Sequence, residues 1–138
     1  MTAKEYLMRA WQIDRRIEAK IEERDRLRAK LEAGRMSRIT GMPRGGSGDW
    51  TDAVSRVVEL DRQIGAEIVA LCAIKREVNA AIDAVEPTRL REVLALRYRN
   101  YMRWEEIAER LRYDERWVRR LHWRGLKAVE AWMRETRP

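Results

Sequence analysis

The chain has 138 residues, with 30 Lys and Arg against 23 Asp and Glu, a net charge of +7 and a pI of about 10.1. No apolar run approaches the roughly 20 residues that span a bilayer, the residues after Met1 form no apolar leader, and Cys72 is the single cysteine, so no intrachain disulfide and no cysteine zinc site is expected. One histidine leaves almost nothing for a metal cluster or a His-based dyad, and the expectation is a cytoplasmic protein with no cofactor and no membrane partner.

Thr2 to Ala33 reads as one long helix. Thr2-Ala3-Lys4-Glu5 has the capping-box form, in which hydroxyl and carboxylate each satisfy an exposed amide of the other residue. Tyr6, Ala10, Ile13, Ile17, Leu27 and Leu31 then recur in steps of three and four, with Lys20 and Arg24 in the two remaining places. Gly34 is a natural stop. Residues 34–50 hold five of the seven glycines and read as a long mobile loop.

Residues 51–86 form a second long helix. Val54, Val57, Asp61, Ile64, Ile68, Leu71, Lys75, Val78, Ile82 and Val85 keep coiled-coil spacing. Folded back antiparallel on the first helix, this seam puts Leu31 opposite Val54, Ile17 opposite Ile68 and Arg24 opposite Asp61. Beside it Val58, Gly65 and Cys72 suggest that another helix packs there, from the C-terminal part or from a second subunit, with Cys72 as a core thiol. The same geometry brings Leu7 and Trp11 near Val85.

Glu86-Pro87 breaks this helix. A short helix over 87–99 follows, with Leu90, Val93, Leu94 and Tyr98 inward and Asn100 as its cap, then helices over roughly 103–111 and 114–133. The expected fold is all-α: a long antiparallel helical hairpin over 1–86 and a three-helix helix-turn-helix module over 87–138. Most of the excess charge lies in that last part, which holds fourteen basic and eight acidic residues.

Within it, Ile107, Leu111, Tyr113, Val118 and Leu121 occupy the packing positions of a helix-turn-helix, and Ala108 the small one. Arg112 stands where the turn usually has Gly, so it must enter a left-handed or type I turn at some cost. From Arg110 to Lys127 there are seven basic and two acidic residues. With Val118, Leu121 and Leu126 inward, Arg116, Arg119 and Arg120 face outward on the second helix, where arginine can bond guanine O6 and N7. Arg124 and Lys127 suit phosphates, and Arg103, Arg110 and Arg112 are placed to touch the DNA backbone. Trp117 and Trp123 are candidates for stacking or for contact with a partner; Trp104 and Trp132 read as packing residues. His122 has no Ser, Cys or acidic partner at a motif spacing and reads as a packing or hydrogen-bonding residue. No carboxylate pair stands out and the Gly45-Gly46-Ser47-Gly48 stretch lacks a phosphate-cradling ending, so the sequence does not read as an enzyme.

The stretch from Trp104 to Glu130, preceded by LREVLALRYRN (Leu90 to Asn100), resembles the fourth, promoter-reading region of bacterial sigma factors. The AKEYL start (Ala3 to Leu7), GMPRG (Gly41 to Gly45), LRYRN, WEEIAE (Trp104 to Glu109) and RLH (Arg120 to His122) together resemble a phage and prophage family of small helix-turn-helix proteins related to the RinA- and ArpU-like late regulators. The resemblance implies sequence-specific binding of double-stranded DNA and activation of late phage transcription in a bacterial host cell. RNA polymerase is a candidate partner, and the hairpin a candidate means of self-association. Arg116, Arg119 and Arg120 match places where sigma-like recognition helices touch bases, whereas Glu115 falls where a basic residue is common. No segment resembles the promoter-melting part of a sigma factor. Two other readings are a DNA-packaging protein like a terminase small subunit and a helical structural adaptor.

Overall fold

A computed structural model describes residues 1–39 and 47–136. Among them the fold is all-α, with five helices: α1 Ala3–Ile39, α2 Ser47–Asp83, α3 Thr88–Tyr98, α4 Trp104–Leu111 and α5 Glu115–Thr136. No helix among the described residues is long and apolar enough to cross a membrane.

The N-terminus of α1 closes as its residues dictate. The Glu5 amide donates to Thr2 Oγ1 at 3.1 Å and the Thr2 nitrogen to Glu5 Oε2 at 3.0 Å, so both ends of the box are satisfied. Tyr6, Ala10, Ile13 and Ile17 are buried as the spacing requires. The helix does not stop at Gly34. It continues to Ile39, and Gly34, three places after Leu31 on the same stripe, is itself buried. A glycine inside a helix costs only about 1 kcal/mol relative to alanine, less than a buried stripe returns. Likewise α2 starts at Ser47 rather than 51, with Asp49 in its first turn, where the helix dipole favours an anion. The expected loop over 34–50 is therefore helical at both ends; its GMPRG motif, with Thr40 and Gly46 on either side, falls outside the described residues.

The chain divides into two compact units, one of residues 1–12 with 72–138, the other of residues 13–71. In the second unit the α2 seam is rotated from the expected one. Val57, Ile64 and Leu71 are buried as anticipated, but their companion is Leu60, fully buried, while Val54 and Ile68 remain 38% and 44% exposed. The 57–60–64 ladder is an equally regular three-four pattern, and the larger Leu takes the interior. Asp61 then lies at the edge of the seam, where it meets Arg24 Nη1 at 3.0 Å and Arg28 Nη2 at 3.0 Å. Glu67 receives Lys20 and Arg16 at 3.3 Å each, and Glu23 receives Arg56 at 3.1 Å. These pairs run in opposite directions along α1 and α2, as the Arg24–Asp61 expectation required. Val58 and Val69 are 63% and 71% exposed, and a Cβ added at Gly65 would meet nothing within 4 Å, so no helix of this unit covers that face. Cys72 is exposed rather than a core thiol.

The first unit holds a continuous core. Ala3, Tyr6 and Leu7 of α1 and Val78, Ala81, Ile82 and Val85 of α2 pack in one cluster with Leu90, Val93, Leu94, Tyr98, Ile107, Ala108, Val118, Leu121 and Val129. Leu7 thus joins Val85 as expected, whereas Trp11 stays 39% exposed. The ends of both long helices thus share one core with α3, α4 and α5. α5 comes close to α3 at Gly125, where an added Cβ would lie 3.0 Å from Leu94 Cγ and Cδ1.

Candidate nucleic-acid interface

Two short connections set the presentation of α5. After α3, capped at Arg99 rather than Asn100, the chain turns through Tyr101 at φ 56°. The Met102 amide bonds the Leu96 carbonyl at 3.1 Å, and Arg97 Nη1 donates to the Met102 carbonyl at 2.9 Å. After α4, Arg112 sits in the left-handed region at φ 58°, ψ 44°. The next amide, Tyr113, reaches back to the Ala108 carbonyl at 2.9 Å, which is the Schellman closure usually given to glycine. A three-residue turn of 112–114 then opens α5 at Glu115. Ile107, Ala108, Val118 and Leu121 are buried, and Leu111, Tyr113 and Leu126 pack partly buried against the same core, as the helix-turn-helix pattern anticipates.

With those positions inward, the opposite face of α5 is cationic. Arg116, Arg119, Arg120, Trp123 and Arg124 surround an open pocket of about 480 Å³. Arg116 and Arg120 make no ion pair among the described residues, whereas Arg119 Nη2 meets Glu115 Oε1 at 3.1 Å, one turn back. Trp123 is 58% exposed, with Lys127 Nζ 3.9 Å above its ring. Trp117 is half-buried against the core, with the Arg124 guanidinium 5.5 Å from its ring, so its indole is a packing group first.

The remaining cationic candidates are not gathered there. Arg110 and Arg112 are exposed at the end of α4 and in the turn. Arg103 lies with Met8, Trp11, Arg97, Tyr98 and Tyr101 around a separate pocket of about 290 Å³. Its guanidinium bonds Glu106 Oε1 at 2.9 Å, and the same carboxylate accepts the Arg103 amide at 3.2 Å. This arrangement caps α4 and holds the Glu106 carboxyl below its ordinary range, the Arg103 side chain first among the causes.

Beneath the cationic face is a buried polar pair that sequence spacing does not reveal. Tyr98 Oη of α3 and His122 Nε2 of α5 are 2.6 Å apart. The imidazole also stacks on the Tyr98 ring and meets the edge of Trp104, centroids 5.6 and 4.5 Å apart. Burial, then the nearby cations Arg97, Lys4 and Arg119, push the His122 pKa down to about 4. Burial pushes the Tyr98 hydroxyl up to about 12, against the pull of Arg97. Both groups are therefore neutral near pH 7, and a neutral ring can accept the phenolic hydrogen. Trp104 carries Arg97 and Arg119 4.4 and 5.3 Å from its ring centroid, so its packing links the buried pair to the cationic face.

No protein-family model, no curated protein and no solved structure matches this chain.

Proposed function

We propose that this chain is a sequence-specific binder of double-stranded DNA, with α4 and α5 as a helix-turn-helix of the sigma region-4 type. The long α1 and α2 would form an antiparallel hairpin that self-associates or holds RNA polymerase. The observation that carries the reading is the exposed row Arg116, Arg119 and Arg120 at the N-terminal end of α5, behind a tight turn and on a helix whose other face is locked into the core. The first turns of such a helix enter the major groove, where an arginine fork matches guanine O6 and N7. Arg124 and Lys127, further along, suit phosphates. The resemblance to phage late regulators makes transcriptional control in a bacterial cytoplasm the preferred task.

A mobility shift with random duplex at low salt tests binding; absence of any shift favours a purely structural adaptor. Arg119→Ala should then reduce discrimination between a selected site and random sequence. A DNA-packaging role like that of a terminase small subunit draws on the exposed face of α2 at Val58, Gly65 and Val69, which suits self-association. Ring-sized mass in solution would favour packaging, and a monomer or dimer would favour regulation.

A further inference from the structure

We infer that Glu115 is a specificity-determining residue of the α5 face: its carboxylate accepts a hydrogen bond from the amino group of a cytosine, while Arg119, held beside it, donates to the guanine of a neighbouring pair. The inference rests on the DNA-binding reading above and sharpens its substrate to a duplex with a guanine-cytosine step in the major groove.

Glu115 is the one acid between Arg116 and Lys127 or at the position just before them, and it opens the helix. Every other charged side chain from there to Lys127 is cationic. A carboxylate in that place repels phosphate and weakens indiscriminate binding. It gains only where it meets a donor, and the major groove has two, cytosine N4 and adenine N6. Adenine sets its N7 acceptor beside N6, which opposes a carboxylate; cytosine presents a donor without a neighbouring acceptor on the same base. Glu115 therefore selects cytosine.

The pair is also pre-organised. Arg119 is fixed from one side by the 3.1 Å bond to Glu115 and from another by the Trp104 ring 5.3 Å away. Trp104 in turn abuts His122, which the Tyr98 hydroxyl meets at 2.6 Å. Donor fork and acceptor are thus presented together from a buried support, so less side-chain freedom is lost on binding. Arg116 and Arg120, which make no ion pair among the described residues, form the neighbouring row and carry no acceptor.

The test is selection of bound sites from randomised duplexes by the full chain and by two variants at this half-buried position. The wild type should select a motif containing a guanine next to a cytosine. Glu115→Gln should move the preference at that one cytosine toward adenine, because an amide offers the acceptor and donor that adenine matches. Glu115→Ala should lose about fivefold or more of discrimination at that position and bind random duplex more tightly. An unchanged site profile in Glu115→Ala overturns the assignment of Glu115 while leaving DNA binding intact. Failure of the wild type to retain any duplex overturns both.

Discussion

Tyr98 Oη and His122 Nε2 lie 2.6 Å apart in the interior of the first unit and join α3 to α5 directly beneath the cationic face. Because the imidazole is buried with its pKa pushed down to about 4, the folded chain resists a proton that the unfolded chain accepts near 6.5. The unfolded state binds more protons between those values, so this pair's stability is fully present above about pH 6.5 and is lost as pH falls toward 4. The loss should reach about 3 kcal/mol. Urea unfolding at pH 7 and pH 4.5 should show it, and His122→Asn should have a smaller difference between the two pH values than the wild type. Equal differences in both proteins would contradict a buried neutral imidazole.

Two of the helical glycines, Gly65 and Gly125, should respond oppositely to an added side chain. Gly65 has open space at its Cβ position, so Gly65→Ala should stabilise by about 0.5–1 kcal/mol through helix propensity. Gly125 faces Leu94 at 3.0 Å, so Gly125→Val should destabilise by about 1–3 kcal/mol through overpacking. Denaturant midpoints of the two variants check both signs.

Arg112 pays a conformational cost at φ 58° that glycine does not. Arg112→Gly should raise stability by about 1 kcal/mol. If the side chain also touches phosphate, the same variant should bind DNA more weakly and lower the salt slope by about one. Thermal melts and binding isotherms separate the two effects.

Asp61 sits between Arg24 and Arg28 and reports the register of α1 against α2 within the second unit. Asp61→Arg should lower the melting temperature, and adding Arg24→Asp should recover part of it. No recovery in the double variant would mean that the three groups do not interact in solution.

Where the cause is local, the sequence is readable. Thr2 and Glu5 are three residues apart, and their reciprocal bonds follow from that spacing alone. The packing places Ile107, Ala108, Val118 and Leu121 follow from helical periodicity around a short turn, whereas Arg112 could have entered a left-handed or a type I turn and takes the left-handed one. The face of α2 was harder to place, because Val54-Val57-Asp61 and Val57-Leu60-Ile64 both satisfy a three-four pattern and only packing decides between them. Gly34 reads as a helix stop from its residue type, but α1 runs through it and it is buried there. Gly125 carried a usable signal, since a lone glycine inside a helix marks tight packing. The Tyr98–His122 pair joins residues 24 apart through the fold and has no spacing to betray it. Glu115 was legible as a departure from the basic pattern, but its bond to Arg119 gives that departure a role.

The most direct test of the central proposal is the affinity of the full chain for a labelled duplex as a function of salt, with Arg116→Ala, Arg119→Ala and Arg120→Ala combined as the comparison. The wild type should bind at about 50 mM salt and weaken steeply toward 200 mM, as counterions displaced by the cationic face return to the phosphates. The triple variant should bind at least about tenfold more weakly, with a shallower slope. Equal affinity and slope in the two proteins, or no duplex binding by the wild type, would contradict α5 as a DNA-reading helix.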